Sequence, residues 1–324
     1  MLGSALDTFV KTSYQQYINS LGETNLNNIN DILVVNETVL DCINHLFNEL
    51  DKYSSTLPIT NSVVSSIVKA IIELFARLIT NFKSIAIAFY KSVKRSELQY
   101  FVQAHPLTVR HIESVNYLDI MDCKIPTPLF VNKPLVAINN DFYSFYKNLK
   151  IKDTSKQIYL LIDTVCKNIL SDPEDTKEIK KQIDQLKQTT NNRYCQSIIK
   201  YLISHISLKQ PSLTITFGKV FRNIKELTTI KSTLLSYETD LYNNCMFAHS
   251  MVNKCDKALE SFEKKITDTI PDVIIGNKKL LKDFANQIHS AAFYFETVGT
   301  YAKEVNHLSH YIVEVYKAIN EEIG

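Results

Sequence analysis

Three residues near the C-terminus have the types and spacing of transition-metal ligands. Glu304, His307 and His310 follow one another at intervals of three residues, which brings them toward one side of a helix. A di-iron carboxylate site uses a Glu-x-x-His pair on each of two helices, with two further glutamates. The sequence contains no second Glu-x-x-His pair. We therefore interpret the triplet as a solvated helix face and assign no metal ligand.

A second candidate group, Cys245, His249 and Cys255, lies on one predicted helix, where Cys245 and His249 share a face. A zinc site needs four ligands, with compact spacing in at least one pair. Cys255 falls on the apolar stripe of this helix, so we predict that it is a core residue. The group therefore predicts no zinc site.

His105, His111 and Cys123 are the nearest approach to a nucleophilic site, because they lie in the least regular part of the sequence. A catalytic Ser or Cys needs a base beside it on a sharply turned loop. The sequence contains no Gly-x-Ser-x-Gly, and its six glycines are too scattered for a dinucleotide fingerprint or a P-loop. We interpret the three residues as structural linker residues. No catalytic, cofactor-binding or metal residue is assigned, and the protein is predicted not to be an enzyme.

A basic patch, Lys91, Lys94 and Arg95, ends the third predicted helix. The aromatic residues interleaved with it are Tyr90, Tyr100 and Phe101. Positive charge at a helix C-terminus stabilises the helix by about 0.3–1 kcal/mol, and this is our interpretation of the patch. The alternative is a contact with the phosphates of nucleic acid or lipid. Because 36 basic and 34 acidic residues nearly balance, no nucleic acid is predicted as a specific ligand.

The composition indicates a folded, reduced protein without a membrane span. Hydrophobic residues make up 45% of the 324 residues, which is enough for a sizeable core. The cysteines are widely spaced and Met1–Thr12 lacks the pattern of a signal peptide, which favours an intracellular or intracellularly assembled protein. The most apolar stretch, Val63–Tyr90, is interrupted by charged residues that disfavour insertion into a bilayer. It is predicted to be a buried central helix.

Eight prolines divide the sequence into helical segments, because proline inside a helix costs roughly 3 kcal/mol. The predicted helices are Leu2–Ser20, Leu26–Ser54, Thr60–Gln103, Leu135–Leu149, Thr154–Leu170 and one from Asp172 to about Ser207, with a weak point at Thr189–Asn192. Leu107–Pro134 is predicted to be an ordered crossover loop. Ser212–Phe217 alternates apolar and polar residues and predicts a short strand, with Ile125–Phe130 as its partner.

The C-terminal part of the sequence carries the strongest periodicity, with apolar residues stepping by three and four. The first stripe is Leu227, Ile230, Leu234, Tyr237, Leu241, Ala248, Met251, Cys255, Ala258 and Phe262, interrupted by Asn244. The second is Leu281, Phe284, Ile288, Ala291, Phe295, Val298, Ala302, Val305, Ile312, Tyr316 and Ile319, interrupted by Ser309. Two helices of about 45 residues, joined around Pro271–Gly276, predict an antiparallel hairpin about 65 Å long.

These patterns predict an all-α fold: an elongated multi-helix bundle with a long C-terminal antiparallel helical hairpin and a small irregular or short-strand crossover region. Residues 1–106 are expected to form an N-terminal helical region with the long third helix. Residues 107–218 are expected to hold the crossover segment and shorter helices, and residues 219–324 the coiled-coil hairpin. The three regions are predicted to form one continuous bundle.

Three stretches, which together cover about a third of the chain, stand in a distinctive order. They are Ile125-Pro-Thr-Pro-Leu-Phe130, preceded by Tyr117–Cys123; Phe217-Gly-Lys-Val-Phe-Arg-Asn-Ile-Lys-Glu-Leu227; and Phe284–Leu308. The chain resembles internal or structural virion proteins of large tailed bacteriophages in the order of its features. These are helices, a Pro-x-Pro crossover, an aromatic-Gly-Lys-Val turn and two long helices. The resemblance implies a capsid-interior or other virion component present in multiple copies. It carries over no functional residue.

Together these observations predict a non-enzymatic structural or assembly protein that acts through helical packing, as a bacteriophage virion component. Its predicted partners are copies of itself or other virion proteins, and its predicted location is the virion or the host cytoplasm. No cofactor, small-molecule substrate or membrane is inferred as a partner. Two alternatives stay open. One is a membrane-active α-helical bundle, pore-forming or membrane-remodelling, centred on Val63–Tyr90, and the other is a metal-dependent helical enzyme that uses Glu304, His307 and His310.

Overall fold

The computed structural model describes residues 29–54, 61–170, 176–190, 192–206, 214–269 and 271–323. The predicted helix Leu2–Ser20 and the helix start predicted at Asp172 and Pro173 lie outside these residues. Within them the chain is an all-α multi-helix bundle with one two-stranded sheet, which confirms the predicted fold class.

Helices fill most of the segments between prolines. In chain order the described elements are α1 Ile29–Ser54, α2 Asn61–Ser92, α3 Glu97–Ala104, α4 Pro106–Ser114, α5 Tyr117–Ile120, β1 Lys124–Pro126, α6 Leu135–Leu149, α7 Ile151–Asn168, α8 Thr176–Thr189, α9 Asn192–His205, β2 Thr214–Thr216, α10 Phe217–Val220, α11 Ile224–Thr267, α12 Pro271–Gly276 and α13 Lys278–Ile323. The weak point predicted at Thr189–Asn192 is confirmed as the gap between α8 and α9.

The prediction of one long third helix over Thr60–Gln103 is wrong. The chain forms two helices there, α2 and α3, which are separated by the non-helical residues 93–96. Ser96 has extended backbone angles and caps α3, since its Oγ accepts a hydrogen bond from the backbone N–H of Gln99 at 2.9 Å. The Ser-x-x-Gln spacing of these two residues matches a capping box. That local sequence signature indicates a helix start inside the apolar periodicity.

The crossover predicted over Leu107–Pro134 is more helical than expected, because it contains most of α4 and all of α5. Pro106 begins α4, where its missing N–H costs nothing, and the side chain of Asn116 caps α5. The predicted strand pairing is confirmed. Strands β1 and β2 run antiparallel, with Ile125 opposite Ile215.

The two long C-terminal helices, α11 with 44 residues and α13 with 46, form the predicted antiparallel pair. Glu238 of α11 lies beside Ser309 of α13, and Lys231, which is earlier in α11, shares the Glu113 carboxylate with Tyr316, which is later in α13. Residue numbers therefore rise along one helix as they fall along the other.

The buried stripe of α11 departs from the strict heptad after Leu241. Asn244 and Ala258 of the predicted stripe are half-buried, whereas the next residues, Cys245 and Leu259, are fully buried. A straight α-helix drifts by about 20° per heptad relative to a 3.5-residue repeat, so the buried face widens to include neighbouring positions, while Ala248, Met251, Cys255 and Phe262 of the predicted stripe stay buried.

Helix α13 is buried on nearly every side. Its predicted stripe from Leu281 to Ile319 is buried, and so are nine consecutive residues, Ala291–Gly299, that cover all helical directions. A helix that is apolar all round belongs to a core rather than to a two-sided surface. The sequence stripe therefore understates how completely α13 is enclosed.

One of two compact units groups Met1–Ala88, Asp153–Asn192 and His249–Glu296. Phe262 and Phe284, from α11 and α13, have ring centroids 4.9 Å apart, and Phe75 of α2 lies 5.8 Å from Phe262. The apolar stripe of α2 in this unit is buried, as expected for a central helix: Ile67, Ile71, Leu74, Leu78, Phe82 and Ile85. No described helix combines the length and the apolar character needed to cross a membrane.

The second unit groups Phe89–Lys152, Arg193–Ala248 and Thr297–Gly324. Tyr301 of α13 is at its centre, with the ring of Phe142 at 5.8 Å and the ring of Phe145 at 6.3 Å. The Tyr301 hydroxyl donates to the Phe142 carbonyl at 2.7 Å, which satisfies a fully buried polar group. Each unit combines distant segments, and the division into residues 1–106, 107–218 and 219–324 stays a prediction.

Gly299 allows α13 to approach α2 closely in the second unit. A Cβ at this position would lie 3.1 Å from Phe89 Cδ2 and 3.3 Å from its Cα. We expect Gly299→Ala to lower the free energy of unfolding by about 1–3 kcal/mol, because overpacking forces backbone apart. Urea denaturation measures the change.

Gly276→Ala is the matched control, because a Cβ at exposed Gly276 would meet no atom within 4 Å. Its free energy of unfolding should stay the same or rise slightly, since alanine favours the helix. Equal losses in the two variants would show that the contact with Phe89 is unimportant.

Candidate functional site

The structure divides the triplet Glu304, His307 and His310 between two separate pairs. Glu304 is buried, and its Oε2 lies 3.0 Å from Nδ1 of the half-exposed His307. His310 is exposed, and its Nδ1 lies 2.9 Å from Oε2 of Glu97. The predicted solvated face is therefore wrong for Glu304, which lies in the packed interior.

A group of metal-ligand side chains forms around His310 instead. One donor atom each from Glu97, His310 and Glu314 lies within 4.8 Å of the others. His310 and Glu314 are one helical turn apart on α13, and Glu97 is in the first turn of α3. The His-x-x-x-Glu spacing was available in the sequence, but the contribution of Glu97 depends on tertiary packing.

The first turn of α3 is bonded to both long helices by four consecutive residues. The Ser96 hydroxyl donates to the Glu238 carboxylate, Glu97 pairs with His310, the Leu98 N–H donates to Ser309 Oγ at 3.3 Å, and Thr239 Oγ1 donates to Gln99 Oε1 at 2.7 Å. The two partners on α11 and the two on α13 are adjacent in sequence. We call these eight residues the α3 anchor.

The buried carboxyl of the α3 anchor belongs to Glu238, which is 3% exposed. Burial raises the pKa of Glu238, and hydrogen bonds from the hydroxyls of Ser309 and Ser96 partly offset the rise by stabilising the carboxylate. Ser309, the polar residue that interrupts the apolar stripe of α13, thus serves two partners at once. It accepts from Leu98 and donates to Glu238.

The two cysteines of the Cys245, His249 and Cys255 group are packed in the core. Both are fully buried, which confirms the prediction for Cys255, and burial raises the pKa of Cys245 to about 12. Desolvation lowers the pKa of half-buried His249. Because a thiolate is the form that binds zinc, these shifts favour inert, protonated thiols.

The surroundings of Cys123 disfavour the thiolate form that a nucleophilic cysteine needs. Burial and the neighbouring Glu322 carboxylate raise the pKa of its thiol to about 11. His105 is exposed at the end of α3, where its ring lies 5.1 Å from that of Phe101, and His111 is exposed on α4. The contacts of the three residues agree with the interpretation as linker residues.

The basic patch surrounds the real end of α2. Lys91 is in the last turn of that helix, whereas Lys94 and Arg95 belong to the non-helical segment that follows, and all three are exposed. The Arg95 guanidinium lies 6.0 Å from the ring centroid of Tyr242 on α11. Favourable charge at a helix C-terminus therefore describes Lys91 alone.

Comparisons of the chain with protein-family models, with curated proteins and with solved structures give no match. A function therefore has to follow from the geometry of the described residues. Among them, the α3 anchor together with Glu314 combines buried polar groups with side chains at the surface that can bind a metal ion.

Removal of the Ser309 hydroxyl should destabilise the second unit. Ser309→Ala leaves the buried Leu98 N–H without its acceptor and removes one of the two hydroxyls that hydrogen-bond to the buried Glu238 carboxyl, the other being that of Ser96. We expect the free energy of unfolding to fall by about 1–3 kcal/mol, measured by urea denaturation. Ser250→Ala, on the exposed side of α11, is the control and should change stability little.

Glu296 of α13 predicts a pH dependence, because burial raises its pKa from an ordinary 4.5 to about 8. A carboxyl whose pKa is raised by folding stabilises the protein fully below the unfolded pKa, and this contribution is lost as the pH rises toward the folded value.

Glu296→Gln should therefore become more stable than the natural protein as the pH rises from about 5 to about 8, by more than about 1 kcal/mol. Thermal unfolding of both proteins across this range measures the difference. A difference that stays constant with pH would contradict the raised pKa.

Proposed function

We propose that this chain is a non-enzymatic structural or assembly protein that packs against copies of itself or against other proteins of a bacteriophage virion. The long helices α11 and α13 support a structural role, because their apolar faces are filled along their length. The likeness of three stretches to virion proteins supports the particle as the setting.

The observation that carries the proposal is a concentration of exposed apolar side chains in residues 90–118 of the second unit. Tyr90, Tyr100, Leu107 and Leu118 are 52%, 74%, 76% and 70% exposed. Exposed apolar surface on a folded domain costs free energy in water and marks surfaces that other proteins cover. The exposed basic residues Lys91, Lys94 and Arg95 lie in the same part of the sequence, and protein interfaces combine apolar residues with polar ones at their rim.

Self-association of the purified protein tests the proposal. We expect light scattering coupled to size exclusion to show oligomers whose fraction rises with concentration. The double variant Tyr100→Glu and Leu107→Glu should shift the protein toward monomer, because charge in an apolar interface is costly to desolvate. Leu160→Glu, at a half-exposed leucine in the other unit, is the matched control and should leave the oligomers unchanged.

Two further measurements separate the named alternatives. Mass spectrometry of purified particles should find the protein at many copies per particle if the virion assignment holds. Leakage of dye from liposomes between about pH 5 and pH 8 would instead favour the membrane-active bundle. A monomer that is absent from particles would overturn the proposal.

A further inference from the structure

We propose that Glu97, His310 and Glu314 form a binding site for a divalent transition-metal ion of the Zn²⁺ class, which joins α3 to α13. This site lies within the second unit and does not depend on the proposed assembly role. It differs from the triplet considered in the sequence, Glu304, His307 and His310, because only His310 is common to both.

The donor set and its spacing fit such an ion. An imidazole with two carboxylates is a ligand set that Zn²⁺ accepts, with bonds of about 2.0–2.2 Å to each donor. Tetrahedral ligands on one ion lie about 3.4 Å apart, and the donor atoms here already converge within 4.8 Å. Small side-chain rotations close the difference, because Glu97 and His310 are exposed and can change rotamer.

The backbone that carries these ligands is held in place. Ser309, which immediately precedes His310, is buried and bonded to the Leu98 N–H, and Leu98 immediately follows Glu97. The α3 anchor therefore fixes two of the ligand-bearing residues relative to each other, and the helix fixes Glu314 one turn beyond His310. A preorganised framework lowers the ordering cost of binding.

The charge balance of the site also favours a cation. Two carboxylates and one imidazole make up the site, and the Lys317 ammonium lies 2.8 Å from Glu314 Oε1. The Lys317 ammonium pairs with the Glu314 carboxylate and would compete with a metal ion for Glu314 Oε1. The exposed side of the cluster leaves room for water as a fourth ligand, since His310 is 59% exposed.

Isothermal titration of the untagged full chain with ZnCl₂ tests the site. We expect one class of binding that is weakened at least tenfold by His310→Ala and by Glu97→Gln. Lys317→Gln should tighten binding several-fold, because it removes the competing ammonium. His307→Ala is the matched control on the same helix, and its affinity should equal that of the natural protein.

Co²⁺ gives a second readout that separates this site from the cysteines. Bound Co²⁺ should show visible bands of nitrogen and oxygen ligation without the sulfur charge-transfer band of a thiolate site, and His310→Ala should abolish them. A Zn²⁺ affinity that is equal in His310→Ala and the natural protein would overturn the proposal. So would a dissociation constant above about 1 mM, because nothing then distinguishes the cluster from isolated surface residues.

Discussion

Burial of α13 on nearly every side is the constraint to which its neighbours conform. Nine successive residues, Ala291–Gly299, are enclosed, so the helix presents side chains to other elements in all directions. Its backbone is satisfied internally, and a buried polar side chain without a hydrogen-bond partner costs free energy. Tyr301 therefore bonds to the Phe142 carbonyl, and Ser309 bonds to the Leu98 N–H. The polar positions of α13 thus fix where α6 and α3 pack in the second unit.

The break between α2 and α3 connects packing with the surface of the second unit. Ser96 starts a new helix within the long apolar periodicity by capping α3, and the same hydroxyl donates to the Glu238 carboxylate. The short helices that follow cannot bury both of their faces, so Tyr100 and Leu107 stay exposed. The anchor that stabilises this turn also brings Glu97 beside His310. The break between α2 and α3 therefore accounts for the exposed apolar side chains of the candidate interface and for the position of Glu97 in the ligand cluster.

Sequence periodicity predicted the long helices well and their fine features less well. The hairpin of α11 and α13 and the pairing of Ile125 with Ile215 follow from apolar spacing and from alternation. The end of α2 was missed because the apolar pattern continues through the break, although a capping signature marks the start of α3. The sequence did not predict the burial of Glu304, because carboxylates are rarely buried in proteins.

The sequence by itself determined the fold class, the two long C-terminal helices and the direction of their hairpin, because these depend on side chains three and four residues apart. Tertiary structure decided which helix is buried on most of its sides and which residues meet His310. Glu97 and His310 are 213 residues apart, and no local spacing relates them. Periodicity shows that a face is apolar, whereas only the packed chain determines what covers it.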